Sequence, residues 1–216
     1  MRRALALVVL CAAAAGPLGA QRFVLGIAAA GGDYREISND LRYRVSGIAG
    51  SAATTLGRFS AEFVVSALNH EPYDKSVAAK EFKATQFDGW LRYRVYRGVS
   101  LEVGAANRTV EDAAEFDGQS AGAIRVGAHS AVTLGPNAAA TVRFDYLAGG
   151  KFSGGGKASF GMDVGLGFYY AFARGRVRVT GDSQFQRYNR TVDLGGVQED
   201  VPLQQVLARV GLAVAF

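Results

Sequence analysis

The chain has 216 residues, a formal charge of +5, 28 glycines and only four prolines. This length suggests one domain, or two at most. The positive charge is small and the arginines are scattered along the chain, which argues against a nucleic-acid partner. Hydrophobic residues make up 49% of the chain. That fraction fits a soluble α/β protein as well as a membrane barrel, so bulk composition leaves the fold class open.

The first twenty residues have the pattern of a secretory signal peptide. Met1-Arg2-Arg3 is a basic start, residues 4–15 are apolar, and residues 16–20 offer small residues for cleavage after Ala20. The apolar run is too short to span a membrane as a helix. A lipoprotein signal at Cys11 is the alternative, but Leu10 stands where a small residue is expected. We therefore predict a signal peptide at 1–20 and a mature domain at 21–216 that contains no cysteine.

Short turns and longer polar loops alternate along the mature chain. The predicted short turns lie at residues 54–57, 97–98, 135–137 and 174–175, where Gly, Pro and Asn are concentrated. The predicted longer loops are residues 31–40, 69–83, 111–119, 149–156 and 189–201. Four short turns and five longer loops separate ten strands, which is the plan of a transmembrane barrel. Eight strands remain the alternative if a weak segment such as residues 22–30 does not pair.

Most of the predicted strands alternate strictly between two kinds of side chain. Residues 159–172 are the clearest case: one face carries Phe160, Met162, Val164 and Leu166, and the other carries mainly small residues around Asp163. A soluble antiparallel sandwich also alternates. However, apolar stripes this bulky would crowd the inside of a ten-stranded barrel, whereas small residues and paired charges fit a narrow lumen. The pattern therefore favours an all-β, closed, antiparallel up-and-down transmembrane barrel.

The aromatic residues are predicted to form two rings, one at each membrane interface. The ring at the short-turn end comprises Phe23, Phe59, Tyr93, Tyr170, Phe172 and Phe216, and the ring at the long-loop end comprises Tyr43, Phe87, Tyr146, Phe160 and Phe185.

The last segment, residues 202–216, alternates apolar and mostly small residues and stops on Phe216. It resembles the closing strand of bacterial outer-membrane β-barrel proteins, whose terminal phenylalanine is read by the barrel-assembly machinery. This resemblance implies that Val210, Leu212, Val214 and Phe216 form an assembly signal. With the export signal, the alternation and the turn pattern, the whole mature chain resembles the small bacterial outer-membrane β-barrel proteins. The resemblance implies a location in the outer membrane of a Gram-negative cell envelope, with outer-membrane lipids and the assembly machinery as partners.

Charged residues on the predicted inward face form the candidate site. An arginine-rich lumen could line an anion path, or arginines and carboxylates could pair across strands and fill the barrel. Because a ten-stranded barrel is narrow, we favour the filled lumen. The predicted network is Arg42, Arg44, Glu62, Asp88, Arg92, Arg94, Glu102, Arg125, His129, Arg143, Asp145, Asp163, Arg176, Arg178, Asp182 and Arg209.

No catalytic residue, cofactor or metal site is predicted. His129 and Ser130 are neighbours on a strand and point to opposite faces, so they cannot form a dyad. His70 lies near Glu71 and Asp74, and a solvated loop is favoured over a metal site. Lipid A deacylases carry a His and a Ser two residues apart, a spacing that is missing here. Omptin-type proteases are ten-stranded, but the loops here look too short to hold their site.

These observations favour a monomeric, non-enzymatic barrel with a filled lumen and a structural or surface-binding role through its extracellular loops. A narrow porin-like channel for ions or small solutes is the alternative, and an embedded lipid hydrolase is less favoured.

Overall fold

The computed structural model describes residues 22–38, 40–74, 80–111, 120–172 and 174–216. The predicted signal peptide with Cys11, residues 75–79 of the second predicted loop and residues 112–119 of the third lie outside the described residues. The described residues contain no helix that is long and apolar enough to cross a membrane.

Ten long strands close into one antiparallel barrel. The strands are β1 Arg22–Glu36, β2 Leu41–Leu56, β3 Phe59–Pro72, β4 Phe82–Tyr96, β5 Val99–Val110, β6 Ala121–Gly135, β7 Ala138–Phe152, β8 Lys157–Phe172, β9 Val177–Leu194, the short β10 Val197–Asp200, and β11 Leu203–Ala215. Each long strand pairs with the next, and β1 pairs with β11 to close the sheet. The weak first segment therefore pairs on both sides, and the ten-stranded prediction is confirmed.

The closing contact joins the two ends of the chain. Val24 pairs with Ala215, and Ile27 pairs with Leu212. The Phe216 N–H donates to the Phe23 carbonyl at 2.8 Å. Closure leaves the ten long strands without an open edge in the membrane, which is what a strand-built protein needs in lipid. The assembly role of the last residues stays a prediction.

The four short turns fall where the sequence predicts them. Gly57, Gly98 and Gly175 have φ values of 61°, 73° and 85°, which favour glycine, and Arg174 adopts 58°. All four turns lie at the end of the barrel where β1 begins and β11 ends, which we call the short-turn end.

Three of the predicted long loops are at least half strand, which corrects the sequence interpretation. β1 continues to Glu36, β7 continues to Phe152, and β9 continues to Leu194, where it forms a hairpin with β10. Polar residues in these segments mark the exit from the bilayer rather than the end of the strand, because neighbouring strands still supply ladder partners. A 15-residue strand tilted by about 40° is about 38 Å tall, against an apolar band of about 25 Å.

An apolar belt covers the outer wall. Its large exposed side chains include Ile27, Ile48, Phe63, Leu91, Leu101, Ile124, Phe144, Leu166 and Leu212. Aromatic pairs border it at both ends: Phe59 and Tyr93 lie 5.0 Å apart at the short-turn end, and Tyr146 and Phe160 lie 5.9 Å apart at the other. These side chains are exposed on the protein alone, so in water each of them would be in contact with solvent. A continuous apolar belt of this kind is instead covered by lipid.

The prediction for Tyr43, Arg42 and Arg44 is wrong. Tyr43 is fully buried inside the barrel, and both arginines point outward. The alternation in β2 is real, but this part of the strand lies beyond the apolar belt. Beyond the lipid, the two faces of the strand have the character that they have in a soluble barrel: apolar residues point inward, and charged residues point outward into water.

Candidate functional site: a sealed lumen above a short-turn cavity

The long-loop half of the lumen is filled by an apolar layer. Its buried members are Tyr34, Tyr43, Leu68, Phe82, Leu147, Phe152, Tyr188, Leu203 and Leu207. The ring centroids of Tyr43 and Phe82 lie 5.0 Å apart, and those of Tyr34 and Phe82 lie 5.9 Å apart. Such ring distances are those of direct aromatic packing.

His70 belongs to this layer, which corrects its assignment to a solvated loop. The imidazole is fully buried and stacks on Phe82 with centroids 4.2 Å apart. Glu71 and Asp74 are exposed, and no group of three or more His, Cys, Asp or Glu side chains among the described residues could hold a metal ion.

Hydrogen bonds join opposite walls of the barrel just below the apolar layer. Arg108 on β5 donates to Gln205 on β11 at 3.0 Å, and Gln205 donates to Gln86 on β4 at 3.0 Å. β5 and β11 are five strands apart in a ring of ten, so the first bond spans the full width of the lumen. All three side chains are buried. Sequence analysis missed them, because alternation marks a side chain as inward but does not give its partner.

The charge layer lies at mid-height and centres on Arg125. Its guanidinium is fully buried and contacts Asp88 directly, and its Nη1 lies 3.0 Å from Asp163 and 3.6 Å from Asp145. The four side chains come from β6, β4, β8 and β7. Arg125 thus contacts three buried carboxylates, which would each be costly to bury alone. Arg143 also reaches Asp145 and Asp163, and Arg209 lies 3.9 Å from Asp88.

Neutral donors complete the charge layer. Gln184 and Gln186 donate to the same oxygen of Asp163 at 2.6 Å and 2.8 Å. The indole of Trp90 donates to Asp145 at 3.2 Å, and the guanidinium of Arg125 lies 4.5 Å from its ring centroid. These neutral donors bind the same Oδ2 atoms of Asp163 and Asp145 that Arg125 contacts, so several donors share each of the two oxygens.

A second tier of ion pairs lies nearer the short-turn end. Arg92 bridges Glu62 at 2.6 Å and Glu102 at 2.7 Å. Arg209 contacts Asp182 at 3.0 Å. Arg143 lies 3.3 Å from Asp163 and packs 4.2 Å from the centre of the Trp90 ring.

The remaining residues of the predicted network are not members of the ion pairs described above. Arg42 and Arg44 are on the outer wall. Arg94 and Arg176 are exposed at the short-turn end, and Arg178 lies inside that mouth. The network is therefore smaller than the sequence predicts, because inward alternation continues past the point where the lumen opens to solvent.

A cavity of about 370 Å³ opens below the charge layer at the short-turn end. Trp90, Arg92 and Arg143 line it on one side, and Arg178, Asp182 and Arg209 on the other. His129 also lines the cavity, whereas Ser130 follows it on a strand whose side chains alternate, so the two do not form a dyad.

A closed ring of ten antiparallel strands, an outward apolar belt and a polar interior define a transmembrane β-barrel of the outer-membrane type. Short turns in such barrels face the periplasm, so the short-turn end is the periplasmic end.

Solved structures of outer-membrane proteins align with most of this chain. The outer membrane protease OmpT of Escherichia coli aligns with a TM-score of 0.53 and 10% identity, over 91% of this chain and 96% of that protein. The outer membrane protein AlkL aligns at 0.47 and 12%, over 94% and 93%. The attachment invasion locus protein Ail of Yersinia pestis aligns at 0.40 and 8%, over 90% and 98%. At these identities the likeness concerns the fold alone. No family model matches the sequence, and no curated protein matches it.

The protein is therefore a bacterial outer-membrane β-barrel with ten membrane-crossing strands.

Proposed function

We propose that the protein is a non-conducting, non-enzymatic outer-membrane barrel that acts through its extracellular end, as a structural or surface-binding component of the envelope. The observation that carries this proposal is the double seal of the lumen. The apolar layer and the charge layer are stacked along the axis, and side chains from opposite walls meet between them. An ion crossing the barrel would have to displace both layers.

The extracellular end offers a surface that fits a binding role. The β9–β10 hairpin rises beyond the barrel rim, and β10 pairs with β9 alone among the described strands. All four residues of β10 are exposed, and the hairpin carries Asp193, Glu199 and Asp200. An unpaired, acidic strand edge is available to an extended partner segment.

The porin-like channel is the second candidate function. The periplasmic cavity favours it, because half of the lumen is already open to one side of the membrane. In a conducting barrel, Arg178 would be a pore-lining charge and would influence ion passage.

Planar-bilayer recording separates the two candidates. We expect no steady unitary openings from the wild-type protein, and none from the Arg178→Ala variant, because the seal lies deeper than this residue. Unitary openings of the wild type, with a conductance that changes in Arg178→Ala, would establish the channel and contradict the proposal.

A further inference from the structure

The periplasmic end of the barrel carries an uncompensated ring of arginines. Arg58, Arg97 and Arg174 lie at the short turns, and Arg22, Arg94 and Arg176 lie at strand ends whose alternation points toward the lumen; all six are exposed. None of them is within ion-pair distance of a carboxylate side chain in the part of the chain that the structure describes.

The absence of acidic residues at this end is a property of the sequence. Residues 22–27, 51–61, 93–101, 130–144, 164–181 and 210–216 contain no Asp or Glu. The extracellular end is mixed in charge: there, Asp40 contacts Arg35 at 2.7 Å and Arg42 at 3.5 Å. A mouth with one sign of charge and low-dielectric walls raises the local concentration of anions.

The cavity behind this mouth presents unfilled hydrogen-bond donors. Arg178 packs 5.0 Å from the centre of the Tyr169 ring, and its buried Nε has no hydrogen-bond partner among the described residues. Nε of Arg143 and Nη1 of Arg209 also lack a hydrogen-bond partner among the described residues, but they lie 3.5 Å from Asp145 and 3.9 Å from Asp88 and so belong to the ion-pair network. All three arginines line the one cavity.

The carboxylates of the cavity do not use these donors. Glu62 is held by Arg92, and Asp182 is held by Nε of Arg209. The surplus of positive charge therefore lies at Arg178 and at the mouth, where water and solutes enter.

We propose that the periplasmic cavity binds a phosphate-bearing anion through Arg178, with Arg176 and Arg94 at the entrance. Arg176 and Arg178 lie together at the start of β9, and Arg94 lies on β4, on the opposite wall, where its Nη2 donates to the Gly57 carbonyl at 3.1 Å. Guanidinium groups on two walls suit a group with three or more acceptor oxygens and more than one negative charge. A cavity of about 370 Å³ is at the small end of ligand sites, which fits a phosphate or pyrophosphate group rather than a large solute. The source is either a soluble phosphate compound or the headgroup of an anionic phospholipid.

The test uses the full-length barrel, folded in uncharged detergent and titrated calorimetrically with pyrophosphate. The double variant Arg176→Gln/Arg178→Gln should bind about tenfold more weakly or not at all, and affinity should fall as salt is raised. The matched control is Arg42→Gln/Arg44→Gln, which removes the same charge from the extracellular end and should bind like the wild type. Arg94→Gln, a single change at an exposed position, gives an independent check if the double variant folds poorly.

The headgroup source is tested by titrating the same proteins with short-chain phosphatidylglycerol in the uncharged micelles. Loss of pyrophosphate binding in Arg176→Gln/Arg178→Gln supports a soluble source, and loss of phosphatidylglycerol binding alone supports the headgroup. The proposal is overturned if the wild type binds neither probe, or if the two double variants weaken binding equally. Neither result depends on whether the lumen conducts, so this test is independent of the proposed function.

Discussion

Replacing Arg125 with methionine should lower the free energy of unfolding by about 3–5 kcal/mol, the usual cost of removing one partner from a buried ion pair. The substitution keeps a long side chain in the charge layer but leaves Asp88, Asp145 and Asp163 without their shared cation. Three carboxylates would then be buried around one site. The expected result is a large drop in the temperature at which the detergent-folded barrel unfolds.

Two further variants show that charge, rather than shape, is responsible for this effect. Arg42→Met, at a side chain that is 56% exposed, should change stability by no more than about 0.5 kcal/mol. Adding Asp88→Asn and Asp163→Asn to Arg125→Met should restore part of the lost stability, because the two carboxylates that lose their nearest cation are neutralised. If Arg125→Met alone were as stable as the wild type, the charge layer would not be a compensated buried network.

Changing Gly104 to alanine should cost about 3 kcal/mol or prevent folding, because a side chain at this position cannot be accommodated. Gly104 faces the lumen between Trp90 and Arg125 in the strand register. A Cβ atom there would collide with the backbone carbonyl of Gly89 on the neighbouring strand. Backbone atoms of a paired strand cannot move aside without breaking the ladder, so β4 and β5 would have to separate.

Gly50→Ala is the matched control for this prediction. Gly50 also lies within a strand, but a Cβ at that position would meet nothing within 4 Å. Gly50→Ala should therefore fold in wild-type yield, and the yield of heat-modifiable protein measures both variants. Equal yields from the two would show that β4 and β5 do not approach as closely as the structure indicates.

The number and order of the strands could be predicted from the sequence, because they depend on local patterns of residues. Alternation identifies strands, and glycine at Gly57, Gly98 and Gly175 identifies tight turns. The outer belt follows from the same alternation, since a stripe such as the one from Phe160 to Phe172 is too bulky for the lumen. The structure places Arg125, Asp88 and Asp163 inside the barrel, fully buried.

Where a strand leaves the bilayer, the sequence does not indicate which of its two faces points into the barrel. Tyr43 and Arg42 alternate as the sequence indicates, yet Tyr43 points inward, because apolar side chains seek the interior once water replaces lipid outside. His70 was misassigned for a related reason: its neighbour Glu71 suggested an exposed loop, whereas β3 continues to Pro72 and carries the imidazole inside. The height of a residue above the membrane decides both cases, and one sequence does not give that height.

Contacts across the lumen depend on closure and were beyond sequence reasoning. Arg108 and Gln205 are 97 residues apart, and only the ten-strand ring places them on opposite walls. Trp90 likewise packs against Arg143 and donates to Asp145, and neither contact is indicated by the sequence. The filling of the lumen by side chains is thus a property of the closed barrel, not of any single strand.

The central structural claim is that ten strands close into a barrel that is stable in the membrane, and gel mobility of the membrane fraction tests it most directly. Closed barrels resist unfolding by detergent until they are heated. We predict that the unboiled protein migrates as a compact species and shifts after boiling to the mobility of the unfolded mature chain, residues 21–216. Identical mobility of the two samples, with the protein recovered in the soluble periplasmic fraction without detergent, would contradict the account.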